Sequence, residues 1–203
     1  MDFKEISKTI TDIVNLNGLP VGVKFLNEET NSNVIKDTDI RLCQAVMLAR
    51  SGHSVLINQN NIACPAAASS LGLKTLLEKL KSGETLQGYG IFRKLEVGKK
   101  VMEVMPRIEY GKFKYVLIKP LGSFINEPDV IVIEDEVEKL MWLALAYLND
   151  EGGRLETSTS VLQAVCVDAV VLPYLSQKMN LSFGCYGCRD ATDIKYGEAI
   201  IGV

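Results

Sequence analysis

Five cysteines, Cys43, Cys64, Cys166, Cys185 and Cys188, are the residues of this chain best suited to do chemistry, since it holds only one histidine, His53. Thiolates ligate zinc and iron–sulfur clusters, and they are the nucleophiles of thiol–disulfide exchange. Cys185 and Cys188 enclose Tyr186 and Gly187 in a C-x-x-C spacing that occurs nowhere else in the chain. Three readings compete for it: a reversible dithiol, half of a metal site, or one part of a site completed by distant cysteines. A thioredoxin-like dithiol follows a strand and opens a helix. "LSFG" reads as a strand, but "RDATDIKYG" after Cys188 offers no apolar helix face, which speaks against the dithiol. A zinc ribbon needs a second C-x-x-C.

The remaining cysteines favour the shared site. Cys43 lies on one helical face with Val46 and Met47, and Cys166 on one with Leu162, Ala169 and Val170, so both point inward. Taken singly, each is most simply a buried structural cysteine. Cys64 precedes Pro65 at a helix start, where free N–H groups and the helix dipole favour a thiolate. Its bland alternative is an uncharged cysteine in a helix-entry turn. Cys43, Cys64, Cys166 and either Cys185 or Cys188 would together supply four thiolates from separate elements. That donor set suits tetrahedral zinc or an iron–sulfur cluster. Structural zinc draws its ligands in close local pairs, and only one pair exists here. An iron–sulfur cluster, of the 4Fe-4S kind, is therefore expected, with zinc as the alternative. Gly184 and Gly187 would let the backbone approach inorganic sulfide and donate N–H groups to it, and Arg189 would offset cluster charge.

Other chemistries lack parts. His53 follows a helix-ending glycine and reads as a loop residue; Ser–His–Asp catalysis and His-based zinc hydrolysis would rest on it alone. Gly88-Tyr89-Gly90 is a fragment of a dinucleotide fingerprint, and "DEGGR" reads as the turn ending a helix. The acidic residues show no spacing that marks an acid–base pair. A net charge of −3 excludes the basic stripe of a nucleic-acid binder; Lys74, Lys79 and Lys81, the nearest to one, fit the end of a helix. No run of about 18 apolar residues is present, so no membrane span is expected. The amphipathic N-terminus does not read as a signal peptide, and an odd number of cysteines suits reduced thiols. A cytoplasmic protein is expected.

The elements that must position the cysteines read as one α+β domain over 1–203, with a mixed, largely antiparallel sheet flanked by helices. An amphipathic helix covers 2–16 and is ended by Gly18; "LPVGVKFL" is a strand; 27–39 is a loop; Asp39 caps a helix over 40–51. "SVLIN" is a short strand. Pro65 opens a helix whose stripe is Leu73, Leu76, Leu77 and Leu80, and Gly83 stops it. "GYGIF" and "FKYVLI" are strand-like around a short helix at 94–104. "DVIVI" is a strand covered on both faces, a helix spans 135–148, and Ser160 with Gln163 forms a capping box for a helix reaching Gln177. "EAIIGV" closes the chain as a strand.

The ordered motifs "LPVGVKF", "LCQAVMLARSG", "NNIACPAAASSLGL", "KPL", "EPDVIVI", "LQAVCVDAVVLP" and "GCYGCRD" followed by "GEAIIGV" carry a family resemblance. The chain resembles domain-of-unknown-function family 169, the ArCR family of uncharacterised microbial proteins. The resemblance implies an α+β fold and a cysteine-centred site at Cys43, Cys64, Cys166 and Cys185, with Cys188 more optional; it brings no reaction or substrate. Members usually run on past the strand matching "GEAIIGV", which implies either a short member or a partner covering that face.

The expected protein thus binds an iron–sulfur cluster for electron transfer, redox sensing or redox catalysis. Its partner would be a redox protein or a small molecule, with a homo-oligomer open. The alternatives are a small-molecule binding module with buried structural cysteines, a Cys185/Cys188 dithiol, and a structural zinc site.

Overall fold

The computed structural model describes residues 2–30, 33–160 and 162–203. Strands β1 (Val21–Leu26), β2 (Val55–Asn58), β3 (Tyr115–Pro120), β4 (Val130–Glu136), β5 (Asn180–Ser182) and β6 (Glu198–Gly202) form one six-stranded sheet. Its order is β2-β3-β1-β4-β6-β5. Every pairing among them is antiparallel, so the α+β reading holds and the sheet is less mixed than expected.

Both faces of the sheet are covered, which is why its strands carry continuous apolar runs rather than alternating ones. On one face lie α1 (Phe3–Val14), α7 (Val137–Glu151) and a 3₁₀ turn at Leu121–Ser123. Ile133, Ala199 and Ile201 pack there against Leu140, and Leu56 and Leu117 against Phe3 and Phe124. The opposite face carries α2 (Leu42–Arg50), α3 (Pro65–Ser70), a π-helix at Ala164–Val171 running into α8 (Leu172–Ser176), and α9 (Tyr186–Ala191). Val23, Ile118, Val132 and Ile200 meet these helices, and all four buried cysteines belong to this side. Between α3 and β3 the chain makes a helical excursion through α4 (Glu78–Lys81), α5 (Glu84–Gly88) and α6 (Leu95–Glu103), which buries Leu80, Leu86 and Met102 against the same core.

Several boundaries move for identifiable reasons. Asn15, left-handed at φ 52°, ends α1 ahead of Gly18, while Asp2 caps its start by accepting from the Lys4 and Glu5 N–H groups. Arg41, not Asp39, precedes α2, and the Gln44 side chain accepts the Arg41 N–H at 3.1 Å. The loop at 27–39, of which Asn31 and Ser32 lie outside the described residues, gives Ile35 to a bridge with Val55. The helix from Pro65 breaks after Ser70 because Gly72 takes a positive φ of 72°; the leucine stripe is split over turns, leaving Leu77 exposed. "GYGIF" forms no strand.

The largest departure is the π-helix. Ser160 and Gln163 make no capping box: Ser160 donates to the Leu162 carbonyl, and Gln163 sits left-handed at φ 53° before the helix; Val161 lies outside the described residues. Wide i→i+5 winding accommodates Pro173, which has no N–H to give the Ala169 carbonyl four residues earlier. That carbonyl packs onto Gly202 of β6, where any Cβ would overlap it. Gly202 is thus the point at which sheet and π-helix backbones touch. Gly202→Ala is expected to destabilise the fold by about 3 kcal/mol through overpacking, measurable as a lower urea midpoint with an unchanged m-value.

Candidate functional site

Four elements deliver the cysteines to one corner. Cys43 lies in the first turn of α2, Cys64 caps α3, Cys166 is in the π-helix, and Cys185 and Cys188 flank the start of α9. Cys64 is half-buried and the other four are buried. Side-chain bonds clamp the helices together. Arg41 donates from Nη1 to the Gly187 carbonyl at 3.1 Å, and Gln44 donates from Nε2 to the Ala191 carbonyl at 3.2 Å, pinning α2 to α9. On the far side, Asp168 of the π-helix accepts from Thr159 at 2.6 Å and Ser182 at 3.0 Å. Burial pushes the Asp168 carboxyl up to about 6, against the pull of those two hydroxyls.

Three of the thiols touch in sequence, and the other two lie near enough to interact with them electrostatically. Cys185 Sγ donates to Cys188 Sγ at 3.0 Å, and Cys188 also meets the Cys43 thiol. Cys166 feels the charges of Cys64, Cys188 and Cys185, and the Ser70 hydroxyl lies against it. Backbone N–H groups point at the sulfurs. Those of Ala164 and Cys188 face Cys185, and that of Val165 faces Cys188. Ala164 and Val165 open the π-helix, where N–H groups lack partners within the helix and the dipole favours negative charge.

Without counter-charge this corner keeps its protons. Burial pushes the Cys166 thiol well up, and the neighbouring cysteines add to it. The bond to Cys188, then burial, raises Cys185. Cys188 is relieved by Cys185, but contact with Cys43 and burial outweigh that and push it up to about 12.

Every cysteine singled out in the sequence is therefore brought together, Cys188 included. Other expectations change. "YGCRDA" is helical after all, so Cys185 and Cys188 do open a helix, and the objection to a dithiol on that ground falls. The backbone donors come from Ala164, Val165 and Cys188 rather than from Gly184 and Gly187. Gly184 instead makes room for the Arg189 guanidinium. Arg189 turns away from the thiols and donates to the carbonyls of Phe183, Lys195 and Glu198. Cys185 and Cys188 Sγ, at 3.0 Å, are further apart than a disulfide and closer than the roughly 3.8 Å between two sulfurs on a tetrahedral zinc. Among the described residues no three His, Cys, Asp or Glu groups are placed to hold a single metal ion. Two cavities of about 320 Å³ each, neither lined by a cysteine, open between the turns at Gly72 and Gly111 and beside Ala63 and Pro65.

A second cluster escaped the sequence reading. Arg50, at the far end of α2, stands 3.6 Å from Glu134, 3.8 Å from Asp135 and 3.3 Å from Glu198, and the three carboxyl groups are essentially inaccessible. The signal was the run "EDE" at the end of an apolar strand, facing the glutamate that opens β6. Gly18 makes this packing possible, because a Cβ there would collide with the Arg50 side chain.

A family model described as uncharacterised ArCR matches residues 9–203. The chain belongs to the ArCR family. It is similar to the uncharacterized protein MJ0308 of Methanocaldococcus jannaschii, with 27% identity over 98% of this chain and 88% of that protein. No solved structure matches it significantly. Among the described residues no helix of this ArCR protein is long and apolar enough to cross a membrane.

Glu134 sets a pH dependence of stability. Burial, partly offset by Arg50, raises its carboxyl to about 7. The folded state therefore holds this proton more tightly than the unfolded state. Its contribution is complete below the unfolded value and is lost as pH rises through about 7. Urea titrations from acid to mildly alkaline pH should show Glu134→Gln gaining on the wild type by roughly 2–3 kcal/mol across that window.

Proposed function

We propose that this ArCR protein holds an iron–sulfur cluster through Cys43, Cys64, Cys166 and Cys185, with Cys188 beside them, and uses it to move electrons in the cytoplasm. The observation that carries this reading is the convergence of five thiols from four elements on one buried corner, with backbone N–H groups directed at the sulfurs. Such donors are what a thiolate-bound cluster needs, because they spread its negative charge away from a low-dielectric interior. Three of the thiols favour their protons, and a cationic group that replaced those protons would let the set ionise.

When bound, the cluster supplies one-electron transfer. The chain's own residues then do three things. The thiolates hold the irons, the N–H groups of Ala164, Val165 and Cys188 support the sulfur charge, and the apolar packing keeps water away. Cys64, at the half-buried edge, marks the side nearest solvent, where a redox protein or small molecule would approach.

A second reading has its own support. The 3.0 Å contact at the start of α9 suits a dithiol that loses two electrons and two protons to an oxidant and closes a disulfide. The two readings separate in one experiment. Anaerobically purified protein should hold about four iron and four acid-labile sulfide per chain with a broad visible absorption. Cys166→Ser should lose most of that iron, and Cys188→Ser should keep it. A metal-free protein that reversibly forms the Cys185–Cys188 disulfide would establish the dithiol instead, and stoichiometric zinc would establish a single-ion site.

A further inference from the structure

The two cavities outside the thiol corner are halves of one cleft. The same stretches of chain wall both, residues 58–65 on one side and 72–77 on the other, and Tyr110 lines each half. At about 320 Å³, either half already reaches the roughly 300–1,000 Å³ of small-molecule pockets.

Its walls are fixed by bonds that owe nothing to a ligand. On the first side the buried Asn61 side chain donates to the Lys36 and Leu56 carbonyls at 2.8 and 2.9 Å and accepts the Asn58 N–H at 2.8 Å. The Asn58 side chain in turn accepts the Asn60 N–H at 2.7 Å. On the other side Gly72 and Gly111 are both left-handed, and the Gly111 N–H donates to the Gly72 carbonyl at 2.9 Å. A Cβ on Gly72 would overlap the Glu109 carbonyl, so this close approach of the two turns needs glycine. Phe113, which lines the first half, is held from behind by the Phe25 ring at 5.1 Å and the Tyr174 ring at 6.0 Å. Such a wall binds without first having to be ordered.

The lining carries charge of one sign. Lys114 stands in the first half and Lys74 in the second, and no aspartate or glutamate lines either. Among the described residues neither lysine makes an ion pair, although the chain as a whole is acidic at −3. The side-chain amides of Gln59 and Asn60 are likewise without a protein partner there. Tyr110 is 61% exposed where the two halves meet, an aromatic surface left for something to stack on. A single ammonium flanked by neutral amide donors matches the one charge of a carboxylate. We propose that this cleft binds a small aromatic carboxylate, its ring against Tyr110 and Phe113 and its negative group on Lys114. Lys74, in the other half, meets a second negative group in ligands that carry one. No cysteine lines the cleft, so the inference is independent of what the thiols hold.

The test is an amide NMR titration of the full chain with naphthoate and with its uncharged counterpart naphthylmethanol. Naphthoate should shift the Gln59, Asn60, Gly72 and Gly111 signals together with one dissociation constant. Naphthylmethanol should bind the same residues about tenfold more weakly, for want of the ionic partner. Lys114→Gln should bring naphthoate down to the affinity of naphthylmethanol, and Tyr110→Ala should weaken both compounds. Both side chains are exposed, and unchanged signals elsewhere in the spectrum report that each variant is folded. No saturable shift at these four residues overturns the inference. So do equal affinities for the two compounds, naphthoate binding that survives Lys114→Gln, and shifts confined instead to the exposed apolar face of α7 at Met141, Trp142 and Leu145.

Discussion

Collecting five thiols in one corner, four of them buried and Cys64 at its half-buried edge, is the constraint around which the rest of this structure is arranged. Sulfur bears negative charge only where something else compensates it, and a dry interior offers little. The compensation visible in the chain is backbone. The π-helix opens with N–H groups that have no partner of their own, and the two leading ones, from Ala164 and Val165, are turned toward the Cys185–Cys188 pair. Pro173 and Gly202 belong to the same device. One denies the Ala169 carbonyl an α-helical partner, and the other lets that carbonyl rest against the sheet.

The helices that carry thiols are anchored at both ends. Near the cysteines, Arg41 and Gln44 tie α2 to α9 through main-chain carbonyls. At the other end, Arg50 and Arg189 reach the acidic edge of β4 and β6. Buried ionic groups of this kind contribute little net stability compared with apolar packing of the same volume. A raised Glu134 makes the point, since the protein gives up stability near neutral pH to keep it.

Much of the architecture was legible because apolar periodicity is a direct imprint of burial. The stripe of Phe3, Ile6 and Ile10 marked α1, and the unbroken "VIVI" marked β4 as covered on both faces. The cysteines were legible by type, and their convergence could be inferred only because no local spacing satisfied them. The π-helix was not legible: its valines and alanines fit an ordinary helix, and only contact between Ala169 and Gly202, distant in sequence, distinguishes the two windings. The helix after Cys185 was missed for a related reason. Six residues with one buried side chain, Cys188, carry no stripe, and α9 is held by bonds to Arg41 and Gln44 from another part of the chain. The Arg50 cluster was hidden because charged residues read as exposed until a glycine such as Gly18 is seen making space for them.

The central claim is that these thiols ligate several irons bridged by sulfide. Iron K-edge X-ray absorption on anaerobically purified protein addresses it most directly. The account predicts a first shell of sulfur alone, at a single short distance, with a second shell of iron that only a polynuclear cluster produces. A first shell of oxygen and nitrogen, or sulfur ligation with no iron neighbour, would contradict it.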